Sequence, residues 1–286
     1  MAEESSEPIA YSRLGPVGAP TPLVIAVPHA GRYYPEAMLL AARLPKSALE
    51  TIEDRYADLL VTDAVRAGAV AIVARMARAF VDLNRDAREI DTAILAASPG
   101  PGRVIASPKV TGGLGVVPSR IAAGGAVWRR PLSAEVFADR IATAHVPYHA
   151  AIAAALTAAQ ARHGIAVLID CHSMPPLDTT PPARIVIGDR HGKSAEARFM
   201  TAAMQAALRA GLPVARNRPY AGGHTLDRHG SPRAGRHALQ IEIDRSLYLA
   251  DDLRVPGPGL PHVQAAVAAI LAALHNEARS VALAAE

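Results

Sequence analysis

An uninterrupted apolar run, Ile165-Ala166-Val167-Leu168-Ile169, ends abruptly in Asp170-Cys171-His172-Ser173. Consecutive apolar residues without alternation describe a strand covered on both faces, and such strands belong to parallel sheets sheathed by helices. At the end of the run the two-residue period of a strand puts Asp170 and His172 on one face and Cys171 on the other. A second run, Leu23-Val24-Ile25-Ala26-Val27, ends the same way, in Pro28-His29-Ala30-Gly31. Ligands of open α/β sheets sit beyond the carboxyl ends of the strands. Two histidines at two such ends therefore point to one shared metal or catalytic centre.

The rest of the chain supplies the helices and further strands that such a sheet needs. Strands are expected over 22–28, 69–74, 80–83, 165–170, 184–187, 213–215 and 237–243. Ser47 and Glu50 read as a capping box opening a helix that runs to near Gly68. Ser133 caps an Ala-rich helix to near Gly164, bent at Pro147. A third helix covers Ser194 to Ala210 and stops at Gly211, and the last begins near Pro261. Strands alternating with helices predict an α/β fold of three layers around a mostly parallel mixed sheet. No repeat or boundary divides the chain, so residues 1–286 are expected to form one domain with its core at about 22–280. The Gly- and Pro-rich stretch 98–131 is long for a compact domain and is expected to be a lid, a binding loop or disordered. A second loop runs from Pro175 to Pro182.

Charge narrows the partners. Of 30 basic residues only Lys46, Lys109 and Lys193 are lysine and the other 27 are arginine, with a formal net charge of +4. The arginines are scattered and aromatics make up only 4%, so the clustered basic and aromatic surface of a nucleic-acid binder is absent, while weak attraction for small anions remains. A single cysteine forms no internal disulfide. The acidic opening Met1-Ala2-Glu3-Glu4 is unlike a signal peptide and no apolar run approaches a membrane span. The expected location is the cytoplasm, and nothing in the sequence reads out the oligomeric state.

Two imidazoles and a carboxylate form a common catalytic zinc set. On the helix expected from Ser47, Glu50, Asp54 and Asp58 line one face four residues apart. Like charges at that spacing repel unless a cation intervenes, or the face is solvated and partly neutralised by Arg55. Glu242, inside Ala238-Leu239-Gln240-Ile241-Glu242-Ile243, is a buried carboxylate and a candidate general base. Its ordinary reading is an outward-facing residue on an edge strand. In Arg78-Ala79-Phe80-Val81-Asp82-Leu83-Asn84-Arg85 the planar fork of Arg85 suits a carboxylate and Asn84 can assist, provided a turn begins there. The segment Asn217 to Thr225 reads as a flexible loop whose Gly222-Gly223 pair allows close backbone approach to a ligand. Cys171 reads as a buried structural thiol.

In series, Val27-Pro28-His29-Ala30-Gly31, Asp54-Arg55-Tyr56-Ala57-Asp58, Phe80-Val81-Asp82-Leu83-Asn84-Arg85, Asp170-Cys171-His172-Ser173-Met174, Pro219-Tyr220-Ala221-Gly222-Gly223-His224-Thr225 and Ala238-Leu239-Gln240-Ile241-Glu242-Ile243 resemble the N-formylglutamate amidohydrolase family, over roughly residues 22 to 250. The resemblance implies a phosphorylase/hydrolase-like sandwich similar to zinc carboxypeptidases and aspartoacylases, one zinc ion, and hydrolysis of N-formyl-L-glutamate or a similar N-acyl amino acid. It implies His29 and His172 as metal ligands with Asp54 as first choice for the carboxylate and Asp58 as second. In carboxypeptidases the acid ligand follows the first histidine by three residues, where this chain has Arg32. Glu242 matches the base. Arg78 is implied as an oxyanion stabiliser, and Asn84, Arg85, Tyr220, Gly222, Gly223 and Thr225 as contacts to a small acidic substrate. The family name suggests histidine degradation. Two other readings stand beside it: a metallocarboxypeptidase acting on short peptides, and a non-catalytic protein that binds a metal and an amino acid.

Overall fold

The computed structural model describes residues 10–99, 104–122, 124–178 and 182–283. Its centre is a seven-stranded sheet. The strands are β1 (Tyr11–Leu14), β2 (Leu23–Val27), β3 (Val70–Ala74), β4 (Ala166–Met174), β5 (Ile185–Gly188), β6 (Val214–Arg216) and β7 (Arg236–Asp244). Their spatial order is β1-β3-β2-β4-β7-β5-β6. The four central strands β3, β2, β4 and β7 are parallel, as are β5 and β6, whereas β1 pairs antiparallel with β3 and β5 with β7. Every residue of β2, β3, β4 and β5 is buried, which is why their sequences do not alternate.

Helices α1 (Val146–His163), α2 (Ala197–Arg209), α3 (His224–His229) and α4 (Leu260–Leu283) pack against the sheet. Ile25, Val27, Ile169 and Ile241 on one sheet face pack with Phe199 and Ala203 of α2 and Ile270 and Leu274 of α4. Val24, Ala26, Ile72 and Leu168 on the other face pack with Tyr148, Ile152 and Leu156 of α1. Each such side chain contributes roughly 1.5–3 kcal/mol by leaving water, and the two apolar faces make the molecule three layers thick. Cys171 belongs to the α2/α4 core and is 1% exposed, with burial pushing its thiol well above the ordinary pKa. No helix among the described residues is long and apolar enough to cross a membrane.

The strand β4 continues four residues past the expected end at 170, because β7 pairs with it along its whole length. Asp170 lies beside Gln240 and His172 beside Glu242 in that register. The α1 face of the sheet is therefore apolar at Leu168 and Ala238 and turns polar two residues later. The strand β7 is interior, between β4 and β5, so the edge-strand reading of Glu242 falls.

Several local expectations give way to tertiary contacts. The helix expected from Ser47 to Gly68 is broken into Lys46–Leu49, 3-10 turns at Glu50–Ile52 and Ala57–Val61, and Thr62–Arg66. Its N-cap is Pro45 without a side-chain cap, so the Ser47–Glu50 capping box does not form. The break leaves Glu53 fully buried between Tyr34 and Arg55 and turns the chain at Tyr56, whose φ is +59°. Helix propensity is a weak prior against such contacts. Glu50, Asp54 and Asp58 consequently share no helix face. The segment 80–83 is not a strand. Asp82 Oδ1 accepts the Asn84 backbone N–H at 2.9 Å and bends the chain into the turn that Asn84 and Arg85 require. Ser133 does cap its helix through the Val136 N–H, but the bend before Pro147 is a π-helical turn, Ile141–His145. The stretch 98–131 contains a short helix, Pro108–Thr111, and a two-stranded hairpin, Arg120–Ile121 with Gly125–Ala126; residues 100–103 and 123 lie outside the described residues, as do 179–181 of the second loop. The strand β1 and the helix α3, which starts inside the expected 217–225 loop, had no sequence expectation.

Candidate metal centre

The carboxyl ends of β2 and β4 bring His29 and His172 together with ring centroids 4.7 Å apart. Asp54 joins them from the broken helix, its backbone N–H donating to His29 O at 3.0 Å. One Asp54 oxygen, Oδ2, faces both imidazoles: it lies 2.9 Å from His172 Nδ1 and 3.3 Å from His29 Nδ1. All three residues are 2–3% exposed. Close approach of Gly31 behind His29 is obligatory, since a Cβ there would sit 2.0 Å from Met76 O.

Each histidine has a second carboxylate on its other nitrogen. His29 Nε2 is 2.7 Å from Asp82 Oδ1, and His172 Nε2 is 3.0 Å from Asp170 Oδ2. This is the outer shell that orients a metal-bound imidazole, leaving both Nδ1 atoms aimed at Asp54. Burial opposes charge on these groups, but mutual pairing wins. Asp54 is held well below the ordinary carboxylate range by His172 and His29, and Asp82 by Arg78 and His29. His172 is held well above the ordinary histidine value, chiefly by Asp170 and Asp54. His29 Nδ1 is buried and has no hydrogen-bond partner among the described residues. An orphaned nitrogen, a second imidazole nitrogen and a carboxylate within 4.8 Å of one another suit a divalent cation. Replacing Asp170 with Asn is expected to weaken metal affinity by about 10–100-fold; competition against a chelator would measure it, and unchanged affinity would show that Asp170 does not orient His172.

The other expected residues divide. Asp58 forms a bidentate pair with Arg32, at 2.8 and 3.0 Å, and takes no part in the cluster. Glu242 is beside His172, its Oε1 held by Gln240 Nε2 at 2.9 Å. Burial, reinforced by Asp54 and opposed by His172, pushes its pKa up to about 7. These groups open onto a cavity of about 310 Å³, which Arg78, Asn84, Arg85, Tyr220, Gly222 and Gly223 also line. Arg78 is largely committed, with Nε and Nη2 on Asp82 Oδ2 at 2.9 Å. Asn84 is pinned: its Oδ1 accepts the Thr225 backbone N–H at 2.9 Å, and its Nδ2 lies 3.1 Å from His172 Nε2. Gly223 must lack a side chain, because a Cβ would fall 2.6 Å from Asn84 Oδ1. Thr225 is fully buried behind Asn84, outside the cavity wall.

Sequence reasoning missed Lys109 and Arg245 on the cavity wall and gave no role to Asp82, Asp170 or Gln240. Strand alternation already placed Asp170 with His172. Lys109, inside the Gly- and Pro-rich stretch, and Arg245, just past β7, carried no local signal. The Lys109 ammonium has no hydrogen-bond or ion-pair partner among the described residues, and burial together with Arg85 and Arg78 holds its pKa below the ordinary value. Arg245 Nη2 reaches Ser173 O at 3.1 Å and Asp54 Oδ1 at 3.4 Å.

A crystal structure of N-formylglutamate amidohydrolase from Ralstonia eutropha JMP134 matches with a TM-score of 0.87 at 29% identity, over 96% of this chain and 99% of that one. An N-formylglutamate deformylase of Pseudomonas aeruginosa is 28% identical over 236 residues, 80% of this chain and 82% of that protein. An Agrobacterium tumefaciens structure shares the fold with a TM-score of 0.66 at 20% identity over 96% of each chain. Fold, site and likeness together define a hydrolytic enzyme of the amidohydrolase class. The family model for N-formylglutamate amidohydrolase matches residues 21–249, and the chain belongs to that family.

Proposed function

We propose that the protein hydrolyses the amide bond of N-formyl-L-glutamate or a similar N-acyl amino acid, with a zinc ion held by His29, Asp54 and His172, and releases formate or the corresponding acid and the free amino acid. The observation that carries this reading is the placement of Asp54, His29, His172 and Glu242 in one small cavity whose wall also holds Arg78, Arg85, Lys109 and Arg245. Four cations around a cavity with an unpaired ammonium are relieved by an acidic ligand. About 310 Å³ suits a molecule the size of an acylated amino acid. Bound there, the ion would supply Lewis acidity for an acyl oxygen and for water.

The protein's own groups then divide the work. Glu242, its Oε1 fixed by Gln240, takes a proton from the water that attacks the acyl carbon. As the carbon–nitrogen bond breaks, Glu242 returns that proton to the leaving nitrogen. Arg78, held on Asp82, keeps a fixed positive charge beside the developing oxyanion without having to reorganise. Arg85 and Lys109 take substrate carboxylates and so orient the acyl group. Asn84 serves through position: its Oδ1 accepts the Thr225 backbone N–H and its Nδ2 donates to Gln240 Oε1 at 3.4 Å.

The test is formate release from N-formyl-L-glutamate by metal-loaded protein, beside N-acetyl amino acids and dipeptides. No release of formate or acetate overturns the reading; faster cleavage of dipeptides favours a carboxypeptidase, and tight binding without turnover a sequestering protein. Replacing Lys109 with Ala should raise KM for the acidic substrate about 10-fold with little change in kcat, the size of one charge-assisted hydrogen bond. A steady-state comparison with an N-formyl amino acid lacking the side-chain acid would show the effect shrinking.

A further inference from the structure

Eleven histidines are present, and a second group of them gathers away from the cavity wall. His145 and His149 come from the π-helical turn and the start of α1, and His224 from the first residue of α3. One ring nitrogen of each lies within 4.8 Å of the other two. The ring centroids are 4.6 Å apart for His145 and His149, 5.2 Å for His149 and His224, and 5.8 Å for His145 and His224.

The backbone decides which nitrogens carry protons. His145 Nε2 is 2.8 Å from Arg85 O, and His149 Nε2 is 2.9 Å from Leu83 O. A carbonyl only accepts, so both Nε2 atoms are protonated and, in a neutral ring, both Nδ1 atoms are lone pairs. His224 Nε2 is buried with no hydrogen-bond partner among the described residues. Burial, helped by the neighbouring imidazoles and Arg228, holds all three rings below the ordinary histidine pKa, so they are neutral near pH 7. The His149 Nδ1 lone pair already has an occupant, His229 Nε2 at 3.0 Å. An ion would exchange that hydrogen bond for coordination.

Neutral imidazoles gathered this closely, two of them oriented by carbonyls at Nε2, are the ligand set of a nitrogen-preferring transition ion. We propose that His145, His149 and His224 form a second metal site, which takes a divalent ion of the zinc or cobalt type and rejects the oxygen-preferring magnesium and calcium. The site is independent of the one at Asp54 and of what the enzyme hydrolyses.

The test uses protein in which the first site is disabled. Metal-free Asp54→Ala protein titrated with Co2+ should take up one equivalent, with a visible spectrum of a low-coordinate nitrogen site, and Mg2+ should not compete. Adding His224→Gln should abolish that uptake; His224 is only partly buried, so the change is expected to keep the fold, and circular dichroism checks it. Should Asp54→Ala fail to fold, the stoichiometry of otherwise wild-type protein decides: two equivalents, falling to one with His224→Gln. No Co2+ uptake by folded Asp54→Ala protein, a wild-type stoichiometry of one, or uptake that survives His224→Gln would each overturn the proposal.

Discussion

Glu242→Gln should lower kcat by about 10²–10⁴-fold, the range that general acid–base catalysis contributes, while the protein keeps its full content at the Asp54 site. The amide is nearly isosteric and can still meet Gln240, but it takes up no proton. Glu242 does not belong to the group that converges on Asp54, so metal content should be unmoved. The pH profile gives a second readout. Burial, reinforced by Asp54 and opposed by His172 and Arg78, pushes the Glu242 pKa up to about 7, and a cation nearby pulls it back down by favouring the carboxylate. The base works deprotonated, so kcat/KM is expected to fall as the pH drops through a value below 7, and this acid limb should vanish in Glu242→Gln. Metal loss with the substitution, or an unchanged profile, would remove Glu242 from the base role.

The second large effect belongs to Asp54. Asp54→Ala removes the carboxylate that, among the described residues, both Nδ1 atoms face, leaving two imidazoles to hold an ion. Metal should be lost from that site and turnover with it; the Lewis-acid contribution of several kcal/mol corresponds to a loss on the order of 10³-fold or more. Asp58→Asn is the control, because Asp58 is spent on Arg32 and should change neither metal content nor rate appreciably. The comparison is informative because the two acids are four residues apart in one motif and only the tertiary structure separates them. Equal losses in both variants, by metal analysis and initial rates, would mean that the divided roles are wrong.

Strand ends were the most legible part of the sequence. Leu23–Val27 and Ala166–Ile169 lie within strands buried on both faces, and the alternation that put His172 opposite Cys171 holds in the fold. Glu242 was legible for the same reason, since a carboxylate inside an apolar strand has to meet something. The segment from Ser47 to Gly68 was misread because helical spacing was the only local signal it carried. The burial of Glu53 against Tyr34 and the convergence of Asp54 on His29 and His172 are contacts with residues that no window on that segment contains. Lys109 escaped for a similar reason: its role depends on where a Gly- and Pro-rich stretch folds back, and composition does not record that.

The sequence by itself determined the class of the fold and the two histidines, because hydrophobic periodicity is a local property that burial on both sheet faces imposes residue by residue. Only the tertiary structure decided that Asp54 rather than Asp58 faces them, that Asp82 backs His29, and that Lys109 and Arg245 complete a cationic cavity. The first two decisions are made by electrostatic pairing between residues tens to more than a hundred positions apart in the chain, such as His29 with Asp82 and His172 with Asp54, and such pairing leaves no periodic trace in either partner's neighbourhood.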